Sequence, residues 1–392
     1  MGFGKKFLEV FSESFRSLFR GRVPLAALLV GTPLLFTVLF GVIYDADVVN
    51  DIPLTVYDED QSSMSRTLIQ AYGDADRFHI VSYVSSEEEM KAEILEGRAR
   101  AALEIPKDFS KEVRLGRGSD FLLMVNSTNN MFGNAALSAS QEVARSFSVG
   151  VGQKLLEGVN LKPSEAMNAA YPVRLGVRIT GDPANGYTSF MLAGLMMNGL
   201  QIGVMVTLSP LLVTEILGLR RGREYPSWIL SLAGALPYPM LAFVGFLVSM
   251  LVLVNVFAVP MRGSWLDACL LAGAFLTFVS GVLLLFSACV PSRELSLQAP
   301  MVYIMPGLLY SGLSWPPFDM STVAAAFGKF LPMTYAGIAL RDITLSGYCP
   351  ELFTNCAVMV GAGVLCYALA TLIFDFRRKR GLRSIEAGEV AA

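Results

Sequence analysis

Six stretches of this chain run without a single charged side chain: Val23–Tyr44, Tyr187–Thr214, Trp228–Pro260, Ala268–Val290, Leu295–Phe318 and Leu352–Phe374. Each is longer than the about 20 residues that a helix needs to cross the hydrocarbon of a bilayer. The pattern predicts a polytopic α-helical membrane protein with six transmembrane helices. The first run is too long for the core of a cleaved signal peptide, and no small-residue cleavage pattern follows it. It is expected to persist as the first span, residues 23–43. Ahead of it, residues 1–22 place Phe3, Phe7, Val10, Phe11, Phe15, Leu18 and Phe19 at spacings of three and four, with Lys5, Lys6, Glu9, Glu13, Arg16 and Arg20 in the other positions. That spacing predicts an amphipathic helix lying in the membrane interface.

Between the first two apolar runs the period changes. Ile52–Asp58, Phe78–Val84, Arg100–Pro106 and Asp120–Asn126 read as strands. Helices are expected over Ser62–Tyr72, from Ser86 to Gly97, over Lys107–Leu115 and from about Asn130 to Val159, the second opened by a capping box at Ser86-Glu87-Glu88-Glu89. Strands alternating with helices imply a sheet covered by helices on at least one face. Residues 44–184 are therefore expected to form an α/β domain between the first and second spans.

Residues 185–375 carry the remaining five spans. A polar break, residues 215–228, separates the second from the third, and short loops at Pro260–Asp267 and Pro291–Glu294 bracket the fourth. The segment SGLSWPPFDMSTVAAAFGKFLPMTYAGIALRD, Ser311 to Asp342, is too apolar for an ordinary loop. Pro316, Pro317, Asp319, Lys329 and Pro332 stop it from crossing as one helix. Residues 376–392 form a basic tail.

Composition agrees with this pattern: 53% of the 392 residues are hydrophobic and 16% charged, with a mean hydropathy of +0.52, where soluble domains carry ~25% charge. The net charge of −2 hides an asymmetry. Tyr44–Asp182 holds 21 acidic and 14 basic residues, a balance of −7, and the rest of the chain has 12 and 17, a balance of +5. The basic residues cluster beside span ends: Lys5, Lys6, Arg16, Arg20 and Arg22; Arg220, Arg221 and Arg223; Arg293; and Arg377, Arg378, Lys379, Arg380 and Arg383. With six spans all four clusters fall on one side. Short positive loops stay in the cytoplasm, so both termini are expected there and the α/β domain outside it.

No enzyme site emerges. The single histidine, His79, lies in an expected strand, and no G-x-S-x-G is present. Asp58-Glu59-Asp60 lacks the Gly and distant Glu of an EF-hand, and reads as a strand end followed by a helix cap. Gly2-Phe3-Gly4-Lys5-Lys6 lacks the spacing of a P-loop, so the chain has no ATP site of that kind. Five cysteines, Cys269, Cys289, Cys349, Cys356 and Cys366, lie in or near spans without a C-x-x-C, and free thiols are expected. Neither a metal nor any other cofactor is expected in this chain, nor a nucleic-acid partner. No Asp, Glu, Lys, Arg or His sits in the middle of any expected span, and Glu215, Asp267 and Asp375 occur only at span ends, so the ionisable groups of an ion-driven carrier are missing at membrane depth.

Several stretches resemble the ABC-2 type transporter permeases, the membrane subunits of ABC exporters in the type V arrangement, and the resemblance runs along nearly the whole chain. IPLTVYDEDQSSMSRTLIQAY is similar to the family's strand and helix after the first span, and EEEMKAEILEGRARAALEIPKDFSKEVRLGR to its continuation. Asp182-Pro183, Tyr187, Phe190 and Gly194 match the return to the membrane, with Asp-Pro in place of the usual Asn-Pro. Ser311-Gly312, Pro316, Met320, Leu331-Pro332, Tyr335, Arg341 and Gly347 fall where the family's S-G…P…M…L-P…Y…R…G pattern places them. The resemblance implies that residues 314–342 form an outer re-entrant hairpin, with Trp315, Pro316, Pro317, Met320, Pro332, Tyr335 and Arg341 as its gate residues. It also implies a cytoplasmic coupling helix over residues 215–228, with Glu215, Arg220, Arg221, Gly222, Arg223 and Glu224 against an ATP-binding cassette subunit. That partner would hold ATP and Mg. In the family R-E-x-x-G-T is common there, whereas Tyr225-Pro226-Ser227 follows Glu224 in this chain.

The function so implied is the permease subunit of an ATP-driven exporter in a bacterial inner membrane, moving a drug, lipid, glycan or other small amphiphile. A second permease chain, identical or paralogous, completes it, and a membrane-fusion or periplasmic adaptor is a further expected partner. Two readings from other classes compete: a membrane-anchored receptor using the α/β domain, and an ion-coupled secondary transporter.

Overall fold

A computed structural model describes residues 3–20, 24–46, 48–172, 186–217 and 225–391. They fall into two compact units, one within Val48–Arg178 and the other made of the rest of the chain. The chain opens with α1 (Phe3–Ser17) and the apolar α2 (Leu25–Ile43). In α1, Leu18 just past the helix end is fully buried, while Leu8, Phe15 and Phe19 stay exposed.

The first unit begins with β1 (Ile52–Asp58), α3 (Ser63–Gly73), β2 (Phe78–Val84), α4 (Glu87–Leu95), β3 (Ala101–Ile105), α5 (Phe109–Arg114) and β4 (Leu122–Val125). The long α6 (Asn130–Glu157) and α7 (Pro163–Ala170) follow. The sheet order is β2-β1-β3-β4, with β1 parallel to both neighbours and β4 antiparallel to β3. A parallel pair needs a crossover rather than a hairpin, and α3 and α4 supply the two. Because side chains alternate along a strand, Ala101, Leu103 and Ile105 join Ile52, Leu54, Val56, Leu68, Tyr72 and Phe109 in the larger core. Ala102 turns to the opposite face and packs with Met90 and Ile94 of α4. Both faces are thus covered.

The expected strands and helices of this unit are all present, and α7 is an addition that no sequence signal had marked. One detail differs. At α4 the Ser86 hydroxyl accepts from the Glu89 N–H, but Glu89 reaches back to the backbone and side chain of Ser85, so the reciprocal box is not closed. The closed box stands at α3, where Ser62 and Ser65 cap each other. Asp58 accepts from the N–H groups of Asp60 and Gln61 and from the Ser65 hydroxyl at 2.7 Å. Burial pushes the Asp60 carboxyl up, but hydrogen bonds from Ser62 and Ser110 and the charge of Arg114 outweigh it and hold the group below its ordinary range. Asp58 is therefore spent on capping at the start of α3, while Asp60 also accepts from Ser110 at the start of α5. In the core, the Tyr72 and Ser140 hydroxyls join α3 to α6. Tyr72→Phe is expected to cost about 1–2 kcal/mol, since it strands a buried hydroxyl. The double variant with Ser140→Ala should cost less than the sum of the singles, as read from thermally induced proteolysis within α6.

The second unit continues with α8 (Tyr187–Leu208), α9 (Leu211–Leu217), α10 (Ser227–Ala235), α11 (Pro237–Asn255), α12 (Trp265–Cys289), α13 (Arg293–Ile304) and α14 (Gly307–Tyr310). The rest is α15 (Thr322–Gly328), α16 (Pro332–Arg341) and α17 (Leu352–Ala391). Among the described residues five helices or collinear helix pairs are long and apolar enough to cross a membrane: Leu25–Ile43, Tyr187–Leu217, Ser227–Asn255, Trp265–Cys289 and Leu352–Arg380. Thr322–Gly328 and Pro332–Ser346 form a pair bent by 88°, which makes six if it counts as one span.

Two expectations change here. Leu295–Phe318, read as the fifth span, is not one helix: it breaks between α13 and α14 and ends at Gly312, whose φ is +85°. Pro306 interrupts the ladder, since it donates no N–H, while Met305 and Pro306 themselves keep helical backbone angles. The last helix also runs on past Asp375 through the basic residues that the sequence reading set apart as a tail. The core of this unit joins α8, α11, α12, α16 and α17. α12 and α17 pack backbone to backbone, so that a Cβ on Gly363 would stand 2.6 Å from the Thr277 carbonyl oxygen.

Candidate functional site

Two regions of the second unit gather the residues singled out in the sequence. The first lies where α9 ends. Arg220, Arg221, Gly222, Arg223 and Glu224 lie outside the described residues, so only their flanks are placed. Glu215, on α9, lines a cavity of about 360 Å3 together with Glu13 and Arg20 from the α1 region, Tyr225, and Tyr238 of α11. On the other flank Tyr225 and Ser227 are tied on several sides. The Tyr225 hydroxyl donates to Glu9 at 3.2 Å, and the Lys6 ammonium lies 5.9 Å from its ring centre. Arg378, only 9% exposed, donates to the Tyr225 carbonyl at 2.8 Å and to the Ser227 hydroxyl at 2.9 Å. Ser227 in turn donates to Asp375 at 2.6 Å, which also pairs with Lys379. Arg377 donates to the Ala288 and Val290 carbonyls at the end of α12, at 2.6 and 2.7 Å. Those carbonyls are the orphan acceptors that any helix end leaves.

The second region is the bent pair. Pro316 and Pro317 start a single tight turn, Pro317–Asp319, that Met320 ends. The Trp315 indole N–H donates to the Asp319 carbonyl at 3.4 Å with its ring half-exposed. Pro332 takes the first position of α16, where its missing N–H costs nothing. The 88° bend is fastened by side chains: the Tyr335 hydroxyl donates to the Lys329 carbonyl at 2.7 Å and Thr334 to Gly328 at 2.6 Å, while Tyr303 of α13 donates to Phe330. Leu313 fits between Gly194 of α8 and Gly337 of α16, whose missing side chains leave it room. Arg341 closes the arrangement. Its guanidinium lies 4.5 Å from the centre of the Phe190 ring and donates to the Leu313 carbonyl at 3.4 Å. Arg341 and Asp342 thus stand inside the bent pair and away from any chain end.

Beyond α16 the chain makes one wide π turn, Asp342–Ser346, and its carbonyls are met by the loop between α11 and α12. The Arg262 and Gly263 N–H groups donate to Thr344 and Ile343, both at 3.0 Å, and the Arg262 side chain donates to Leu345 at 2.9 Å. The loop between α11 and α12 thus satisfies carbonyls that the wide turn leaves open.

The profile of the ABC-2 family transporter proteins matches residues 25–372, which takes in the bent pair and the stretch from Glu215 to Ser227. The chain belongs to that family. Among ABC-2 relatives, the probable multidrug ABC transporter permease YbhR of Escherichia coli strain K12 is 24% identical over 375 residues, covering 90% of this chain and 93% of its own length. The probable multidrug ABC transporter permease YbhS of the same strain is 28% identical over 145 residues, covering 36% of this chain and 38% of its own.

Within this ABC-2 chain, sequence reasoning missed the residues that do the fastening. Arg377 and Arg378 read as positive charges flanking a span and turn out to bind specific carbonyls and a hydroxyl. Leu313, Tyr303, Thr334 and Arg262 carried no local signal, because their partners lie far along the chain. Phe190 appeared only as part of the family resemblance. Among the described residues, no three His, Cys, Asp or Glu side chains gather to hold a metal ion.

Proposed function

We propose that this chain is the permease subunit of an ATP-driven exporter, working as a pair of permease chains with ATP and Mg bound by separate ATP-binding cassette subunits. The observation that carries the reading is the family match across residues 25–372, supported by the absence of a P-loop from the sequence. The four basic clusters at span ends support cytoplasmic termini in a bacterial inner membrane and an α/β domain on the far side, where an adaptor would meet it. The cargo class is a drug, lipid, glycan or similar amphiphile.

In this reading Arg220–Glu224 take the thrust of the ATP-binding subunit. The ties at Tyr225 and Ser227 pass it on in two directions, to α1 through Glu9 and to the end of α17 through Arg378. The bent pair α15–α16 with Pro332, Tyr335 and Arg341, together with the turn before it that holds Trp315, Pro316, Pro317 and Met320, gates the outer end of the path. The test is co-purification with the ATP-binding subunit encoded beside this chain. The wild type should retain it in mild detergent, and Arg221→Glu/Glu224→Arg should lose it. Failure of the wild type to retain any ATP-binding subunit across several detergents would sink the reading and favour the receptor.

A further inference from the structure

A second cavity, of about 590 Å3, opens on the flank of the bundle between the α10–α11 pair, α12 and α17. Its size falls within the roughly 300–1,000 Å3 typical of small-molecule sites. Met240, Phe243 and Leu276 contribute to its wall, and no charged residue does. Met240 is half-exposed, so the opening reaches the outer surface of the bundle. All three walls belong to segments long and apolar enough to cross a bilayer, so the solvent at this opening is hydrocarbon.

Three hydroxyl side chains interrupt the apolar wall, those of Thr277, Ser280 and Tyr367, and the Thr277 hydroxyl is engaged with the Gly273 carbonyl at 2.8 Å. Four buried side-chain polar atoms lack a hydrogen-bond partner among the described residues, and two of the four line this one cavity. Ser280 is 6% exposed. Ser231 is near enough to the Tyr367 hydroxyl to act as a hydrogen-bonding neighbour, but no hydrogen bond of normal geometry joins them and Ser231 is engaged with Thr371 at 2.9 Å. The Ser280 and Tyr367 hydroxyls both stand well inside the apolar segments Trp265–Cys289 and Leu352–Arg380. Hydrocarbon offers them nothing to bond with, and an unsatisfied hydroxyl there is costly. A ligand that carried a charge would meet no counter-charge. A neutral hydroxyl or carbonyl, held at this depth by an apolar body, satisfies both conditions.

We infer that this cavity is a binding site, reached from within the membrane, for a lipophilic molecule bearing one neutral hydroxyl or carbonyl on an otherwise apolar frame. Ser280 and Tyr367 are the specificity-determining residues. Gly273 leaves the wall open, since a Cβ there would meet no atom within 4 Å. The site lies away from both the Tyr225 region and the bent pair, and it does not depend on the exporter reading.

The test uses the full chain in lipid nanodiscs and two photoreactive probes: a diazirine-bearing methyl 12-hydroxystearate and the same ester without the hydroxyl. The mid-chain hydroxyl reaches the depth of Ser280 and Tyr367. In the wild type the hydroxylated probe should label peptides from α11, α12 and α17 about fivefold more than its partner, the ratio expected for one net hydrogen bond. Ser280→Ala/Tyr367→Phe should bring that ratio to one, and Gly273→Leu should lower labelling by both probes. The comparison is a ratio within each protein, so differing yields of the variants do not blur it. Equal labelling of the wild type by the two probes, or a preference that survives the double variant, would show ordinary lipid contact and overturn the inference. So would labelling of these helices no stronger than that of the exposed face of α2.

Discussion

Gly363→Val is expected to reduce the yield of folded, monodisperse protein by roughly tenfold, whereas Gly361→Val, two residues away on the same helix, should leave it nearly unchanged. The contrast rests on what each new side chain would strike. A Cβ on Gly363 would lie 2.6 Å from the carbonyl oxygen of Thr277 and 2.9 Å from the Cα of Phe278, while one on Gly361 meets nothing within 4 Å. Backbone cannot swing aside as a side chain can, so α17 must move away from α12 along their shared length. Helices in a bilayer gain little from hiding apolar surface, and close approach at small residues carries much of their association. A gap of even 1 Å forfeits a quarter to a half of each dispersion contact. Overpacking of this kind costs about 1–3 kcal/mol in ordinary cores and more where only backbone lines the contact. The reverse contact, Gly281 against the Gly363 carbonyl, makes Gly281→Val a second route to the same result. Fluorescence-detected size exclusion of membrane extracts reads all three variants. Equal recovery of the Gly363 and Gly361 variants would mean that the two helices do not touch in this way.

What the sequence revealed, and what it did not, follows from the range of each signal. Alternation along Ile52–Asp58 and Phe78–Val84, and cap residues such as Ser62, are local, and those elements stand where the pattern put them. The long apolar runs likewise mark five spans. The interrupted stretch from Leu295 to Asp342 was harder, because a charge-free run counts as a span only if the helix persists through it. Pro306 breaks it, and hydropathy does not register that. The same limit hid how the bent pair is held. Tyr335 and Arg341 were legible through the family pattern, but their partners, the carbonyls of Lys329 and Leu313 and the ring of Phe190, are fixed by tertiary packing. The basic residues after Asp375 were legible as charge and not as ligands. Arg377 earned its place only when α17 passed beside the end of α12.

Arg341→Met is expected to raise amide exchange across residues 311–320 and 328–346 by roughly ten- to a hundredfold, without loss of the folded bundle. Methionine keeps much of the volume of the arginine stem and fills the space beside Phe190, so packing changes little. What disappears is the charge-assisted hydrogen bond to the Leu313 carbonyl and the attraction to the Phe190 ring. A hydrogen bond to a charged group contributes about 1.5–3 kcal/mol and a cation–π contact about 0.5–2 kcal/mol. Each 1.4 kcal/mol is a factor of ten in an opening equilibrium. These two contacts link α16 to the start of α8 and to the turn after α14, so losing them frees the pair to open without unfolding either helix. Arg341→Lys should not restore protection, because a compact ammonium cannot lie flat on the ring and reach the carbonyl at once. Adding Phe190→Leu to Arg341→Met should change little: once Arg341 is gone, removing its ring partner adds little further exchange. If exchange in Arg341→Met matched the wild type, the bent pair would be held by Leu313 and the Tyr335–Lys329 bond alone. Should the bent pair gate the outer end of the path and residues 220–224 receive the push as proposed, the complex carrying this variant is expected to hydrolyse ATP in its partner subunits with transport uncoupled from it, because an exit that opens on its own no longer waits for that push.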